Sequence, residues 1–208
     1  MNWYNKISKF YDFFTERIYR KQRIELIEKL ELQSGNSVLL VACGTGISFQ
    51  PILKKIGKDG RIVGIDNSSK MLEIAKEKAK KNKWTNIEFI NANAETIDNH
   101  LIEREIGEKI EFDFVIAELA FSVIPNWKAS IRKSIDLLKQ NGKIGVLDGF
   151  RKQNDWINQI LNFLPKSDIS RNISEYLNEL TQNYWSKKLG KTGVLFIGIG
   201  EKTTANKV

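Results

Sequence analysis

The chain is short of the residues on which many enzyme mechanisms depend. Its 208 residues include one cysteine, Cys43, and one histidine, His100. A single cysteine excludes an internal disulfide framework and fits a reducing compartment. A single histidine argues against a histidine-built metal site, so no metal is expected, and against a Ser-His-Asp arrangement. His100 itself lies in Asp98-Asn-His100, which reads as a surface loop. No stretch approaches about 18 consecutive apolar residues, so no membrane-spanning helix is expected. The opening Met1-Asn-Trp-Tyr-Asn-Lys6 is aromatic and charged and lacks the apolar core of a signal peptide. These absences lead to an expected cytoplasmic location.

Positive charge is what the chain has in excess, 33 Lys and Arg against 25 Asp and Glu, for a net charge of +8. Solvated lysine-rich helix faces such as Lys76 to Lys83 account for much of it. The remainder suits an anionic partner. With no RNA-binding motif or arginine-rich patch, nucleic acid is not expected, and peripheral contact with an anionic membrane surface is favoured. The length suits one ordinary domain with a real core and a small appendage.

Apolar periodicity divides the chain. Trp3, Tyr4, Ile7, Phe10, Tyr11, Phe14 and Ile18 recur at helical spacing. A second helix is expected from about Arg20 to Leu32, with Ile24, Ile27 and Leu30 on one face. Short apolar runs then alternate with helical segments. Strands are expected at 38–41, 61–65, 87–90, 112–117 and 143–147. Helices are expected at about 49–56, 71–81 and 129–138, and Ser68 or Asn67 can cap the second of these. Two further strands, 183–188 and 194–199, flank a hairpin-like connection. The expected fold is α/β: a doubly wound, Rossmann-like sheet of seven strands with an antiparallel C-terminal edge pair and an N-terminal helical lid. Its boundaries are a lid at 1–34, a cofactor-binding domain at 35–200 and a tail at 201–208.

The segment Val38-Leu-Leu-Val-Ala-Cys-Gly-Thr-Gly46 carries the most information. It is a buried strand that breaks into a turn where Gly44 and Gly46 let the backbone approach a ligand closely. A dinucleotide fingerprint wants a third small residue, and Phe49 stands there instead. No Gly-Lys-Ser/Thr follows, so a phosphate-cradling P-loop is excluded too. Asp66, 22 residues beyond Gly44 at the tip of the next strand, can accept hydrogen bonds from the vicinal hydroxyls of a ribose.

These residues resemble the class I S-adenosylmethionine-dependent methyltransferases. The resemblance rests on Val38 to Gly46, Gly64-Ile-Asp66 with Ser69-Lys-Met71, and Asn91-Ala-Asn-Ala-Glu95. Phe112-Asp-Phe-Val-Ile-Ala-Glu118 and Leu138-Lys-Gln-Asn-Gly-Lys143 complete it. It implies S-adenosyl-L-methionine as cofactor and S-adenosyl-L-homocysteine as product. By position it implies that Ala42, Cys43, Gly44, Thr45 and Gly46 pass beneath the methionine part. Asp66 would hold the ribose, and Asn67 and Met71 would flank the adenine. Asn93, Ala94 and Glu95 would close on the adenine ring and its amine, and Glu118 would lie near the methionine end. The chain departs from the family at Leu40, where an acid is usual, at Ala42, where glycine is usual, and at Asn93, usually an acid.

Methyl transfer is an in-line displacement, and a base is needed only when the acceptor must lose a proton. By position the catalytic candidates are Glu118, Asp148 and Tyr11. Many relatives carry a histidine pair after the fourth strand, where this chain has Ser122 and Val123. Tyr4-Asn-Lys-Ile-Ser-Lys-Phe-Tyr-Asp12 is similar to the opening of the ubiquinone/menaquinone-biosynthesis methyltransferases and the phospholipid N-methyltransferases. That likeness implies a small or lipid-like acceptor, a quinone precursor or a phospholipid headgroup. Lys6, Lys9, Arg17, Arg20, Lys21 and Arg23, mixed with the aromatics, suit a helix resting on anionic lipid. Two alternatives stay open: a cofactor-binding protein with weak or no catalysis, and an NAD(P)-dependent Rossmann oxidoreductase. The methylated atom and the oligomeric state stay open as well.

Overall fold

The structure is a computed structural model that describes residues 19–149, 170–189 and 195–203. The aromatic stripe of the expected lid, Tyr11 among it, lies outside the described residues, as do the hairpin turn and residues 204–208. The described chain begins with α1 over 19–30. It continues through β1 (Ser37–Val41), α2 (Phe49–Ile56), β2 (Arg61–Asp66), α3 (Ser69–Lys81) and β3 (Ile87–Asn91). Next come α4 (Asn99–Ile106), β4 (Phe112–Glu118), α5 (Trp127–Asp136) and β5 (Leu138–Gly149). The last elements are α6 (Ile173–Leu180), β6 (Thr181–Leu189) and β7 (Leu195–Lys202).

The seven strands form one sheet in the order β3-β2-β1-β4-β5-β7-β6. The first five are parallel, whereas β7 runs antiparallel to both β5 and β6. Val38 to Val41 are buried on both faces because β1 lies between β2 and β4 and is covered above and below. Leu39 and Val41 join one core cluster, Val38 and Leu40 the other. Strand order reverses at β1, where β2 continues on one side and β4 on the other. In such sheets that switch point opens a crevice at the carboxyl ends of the strands.

Helix α1 packs over the sheet at Gly145. A Cβ there would stand 2.8 Å from Leu30 Cδ1 and 3.0 Å from Leu26 Cδ1, so the close approach requires glycine. The buried positions of α1 are Arg23, Leu26, Ile27 and Leu30; Ile27 and Leu30 lie inward as expected, whereas Ile24 is 36% exposed. Ranking by hydrophobicity alone favoured Ile24; the helix instead turns an arginine inward.

Helix α4 was not expected, and it converts the presumed loop at His100 into a helical turn. Asp98 accepts a hydrogen bond from Leu101 N at 2.8 Å and caps the helix, and Gly107 ends it in the left-handed region at φ 88. His100 is exposed there. Strand β5 starts at Leu138 instead of Lys143, because Leu138 pairs with Phe112 ahead of an irregularity in β4. Strand β7 runs through Glu201 and Lys202, which pair with Gln182 and Thr181, so the first two residues of the expected tail are part of the sheet. Among the described residues no helix is long and apolar enough to cross a membrane.

Candidate functional site

A cavity of about 420 Å³ opens at the carboxyl ends of β1, β2 and β4, within the roughly 300–1,000 Å³ of small-molecule sites. Ala42, Cys43, Gly44 and Thr45 from the turn after β1 form part of its wall. Asp66, Asn67 and Met71 line it from β2 and α3, and Asn93, Ala94 and Glu95 from the turn after β3. Glu118 lines it from the tip of β4.

The turn after β1 is built for close approach. Gly44 and Gly46 have φ of +55 and +73, and a Cβ on Gly44 would meet nothing within 4 Å. Gly46 stands apart from the cavity wall; its face rests on Phe49, whose ring would lie 2.1 Å from an added Cβ. Phe49 is fully buried and packs edge-on against Phe89 and Trp84, with ring centroids 5.7 and 6.5 Å away. The residue that argued against a dinucleotide loop is therefore the floor of this one. Ala42 adopts φ 52, a left-handed conformation that suits glycine.

Asp66 joins the turn to the next helix. Its Oδ2 accepts from Gly44 N and its Oδ1 from Ser68 N, each at 2.8 Å. Burial pushes its carboxyl above the ordinary value, and these backbone N–H groups pull the other way. With Asn67 N–H as a third backbone donor, the carboxylate still keeps acceptor capacity for a ribose hydroxyl. Ser68 caps α3, accepting from Met71 N at 3.3 Å. Burial and the nearby Asp66 raise the Cys43 thiol well above its ordinary value, so it stays neutral.

The turn after β3 is held internally. Glu95 N donates to Asn93 Oδ1 and Asn93 Nδ2 donates to Glu95 Oε2, both at 3.0 Å. Glu95 Oε1 accepts from Asn126 N at 2.7 Å, which ties this turn to the start of α5. The Asn93 carbonyl keeps one lone pair for an exocyclic amine.

Residues 32–191 match the family described as a methyltransferase domain. The chain belongs to that family. Among curated relatives, the demethylmenaquinone methyltransferase of Listeria welshimeri is 28% identical over 149 residues, 70% of this chain and 60% of that protein. The chain thus spans about three fifths of the length of the curated relatives it matches. A S-adenosylmethionine-dependent methyltransferase from Aquifex aeolicus superposes with a TM-score of 0.64 at 16% identity, covering 87% of this chain and 89% of that one. A chain from a complex between the Haloferax volcanii Trm112 methyltransferase activator and a methyltransferase gives 0.77 at 12% identity, covering 96% and 97%.

The class I methyltransferase fold and its cofactor, S-adenosylmethionine, follow from the family. The residues fit that cofactor on structural grounds: an open glycine turn, a carboxylate at the tip of β2 and a buried arginine–glutamate cluster in the cavity lining. Sequence reading assembled that cluster only in part. Glu118 Oε2 accepts from Arg23 Nε and from Ser48 Oγ, each at 2.7 Å. Arg23 had been assigned to a lipid-facing surface, yet it is 5% exposed and paired inside the protein. Its signal was available: it is the charged member of a 23-26-27-30 helical stripe.

Asp148 is not brought to the cavity. It is fully buried, and burial raises its carboxyl while Ser122 and nearby backbone N–H groups hold it back. Its oxygens accept from Ser122 N at 3.1 Å and Gly149 N at 2.7 Å, which anchors the chain leaving β4 to the end of β5. The position of the absent histidine pair is thus occupied by a structural contact.

Proposed function

We propose that this domain transfers a methyl group from S-adenosylmethionine to a small or lipid-like acceptor of the quinone-precursor class. The single observation that carries the reading is the convergence of the Gly44 turn, Asp66, the Asn93–Glu95 turn and Glu118 on one cavity. The cofactor supplies an electrophilic methyl carbon on a sulfonium that departs as a neutral thioether. The chain's own contribution is alignment and exclusion of water. Asp66 accepts from the ribose, Asn93 from the adenine amine, and Ala42 to Thr45 fix the methionine end. Leu119, Val123, Ile124 and Pro125 give the far wall an apolar surface that supports an apolar acceptor. The named activity of the Listeria relative points the same way. Of the candidates Glu118, Asp148 and His100, Glu118 alone lines the cavity, since Asp148 is walled off and His100 lies exposed on α4.

Peripheral association with an anionic bilayer would bring a lipid-like acceptor within reach, and the exposed Ile24 and Arg20 of α1 support it. The test is a thermal-shift panel followed by labelled-methyl transfer. S-adenosylmethionine and S-adenosylhomocysteine stabilise the protein, whereas NADH and NADPH do not. Label then enters the quinone-containing lipid fraction of a bacterial extract. Stabilisation by NADH alone would overturn the assignment. Label confined to aqueous metabolites would overturn the acceptor class.

A further inference from the structure

Four charged residues line the cavity among the described residues, and only Arg23 is basic. Asp66 is committed to the ribose position and Glu95 to the turn it braces. Arg23 and Glu118 form a buried ion pair, with side chains 6% and 10% exposed. It joins α1 to the tip of β4. The pairing is incomplete: Arg23 Nη1 and Glu118 Oε1 are buried without a hydrogen-bond partner among the described residues. A buried charged group left unsatisfied is costly and requires an explanation. Ser48 adds to the cluster in a way that its sequence position does not require. It stands at the N-cap of α2, yet its hydroxyl makes no cap bond and is given to Glu118 instead.

We propose that Arg23 and Glu118 together form the receptor for the amino-acid end of S-adenosylmethionine, Arg23 Nη1 donating to its carboxylate and Glu118 Oε1 accepting from its ammonium. The inference rests on the cofactor reading above and adds the residues that recognise the zwitterion. Leu40 explains why such a receptor is needed. It stands where the family usually has an acid, is 2% exposed, and offers the cavity hydrocarbon alone. The opposite charges of the ligand match the two orphaned atoms, which belong to residues of the cavity lining. Arg23 keeps Nε on Glu118 Oε2 while a second nitrogen of its planar fork turns to the carboxylate. Ser48 acts as a positioning residue: its bond to Oε2 fixes the rotation of the carboxyl and leaves Oε1 for the ammonium. Helix α1 then contributes to the cofactor site itself.

Calorimetric binding of three ligands tests the assignment: S-adenosylmethionine, its decarboxylated form, which keeps the ammonium, and 5′-methylthioadenosine, which has neither charge. Arg23→Met weakens S-adenosylmethionine at least about tenfold, the scale of a charged hydrogen bond, and leaves the decarboxylated form and methylthioadenosine within about twofold. Glu118→Gln weakens both ammonium-bearing ligands and spares methylthioadenosine. Removing one member of a buried pair endangers folding, so Arg23→Met with Glu118→Leu is the safeguard, because a hydrophobic replacement of both is tolerated. That double variant keeps its melting temperature within a few degrees and binds all three ligands alike. Parallel loss of methylthioadenosine in the folded variants would show a merely structural pair and overturn the inference. Unchanged S-adenosylmethionine affinity would overturn it too. A wild-type protein that binds none of the three would instead refute the cofactor reading beneath it.

Discussion

Replacing Ala42 by glycine is expected to stabilise the protein. Ala42 holds φ 52, and it does so at the junction of β1 and the glycine turn. An L-residue with a Cβ in this region is strained by about 1–2 kcal/mol. Glycine relieves that strain but adds about 0.5–1 kcal/mol of conformational entropy to the unfolded chain. The Ala42 methyl is also partly buried against the core, and its loss removes a few contacts. The balance is a gain of about 0.5–1 kcal/mol, or about 1–4 °C in melting temperature for a chain of this size. Urea unfolding at constant m-value measures it directly. The control is Ala117→Gly in the fully buried part of β4, which has no positive φ and should lose about 1 kcal/mol. If Ala42→Gly is neutral or destabilising while the control behaves as stated, the strain argument fails, and the methyl contributes more through packing than its conformation costs.

Three further expectations follow from the same geometry. Phe49→Ala removes the floor beneath Gly46 and should cost about 3–5 kcal/mol in chemical denaturation, with loss of cofactor binding even where the protein stays folded. Asp66 accepts best from ribose hydroxyls when ionised, and burial holds its carboxyl above the ordinary aspartate value. Cofactor affinity should therefore fall as pH drops, with a midpoint higher than that of an exposed aspartate. Asp66→Asn should abolish that step in calorimetric titrations and bind about 10–100-fold more weakly at neutral pH. Asp148→Ala strands the N–H groups of Ser122 and Gly149 and should destabilise by about 2 kcal/mol or more in thermal unfolding. Methylthioadenosine affinity that survives in that variant would confirm that Asp148 lies outside the cofactor site; its disappearance in a folded variant would refute this placement.

How far the sequence went depended on whether a residue's role was local. The strand-turn-helix from Val38 to Ile56 was readable because its signals act within a few residues: a β-rich apolar run, two glycines and an amphipathic helix. The same holds for β2 with Asp66 at its tip, and alternation of strands and helices implied a parallel sheet with crossovers on both faces. Helix α4 was missed although its cap and its glycine stop are local, since Asp98-Asn-His100 is polar enough to pass for a loop. Cofactor residues from three separate turns were placed by family resemblance and order, and their convergence required the sheet order β3-β2-β1-β4.

Long-range partners were another matter. Nothing near Arg23 in sequence indicates Glu118, 95 residues away, and nothing near Asp148 indicates that the N–H of Ser122 would claim it. A charged residue on a helix reads as solvated until the sheet beneath it supplies a partner, and an acid at a strand tip reads as catalytic until a neighbouring loop folds over it. Sequence alone therefore determined most of the elements, the glycine turn and the family resemblance that implies the cofactor. Only the tertiary structure determined which charges face the cavity, because burial and pairing are properties of chain segments that meet after folding.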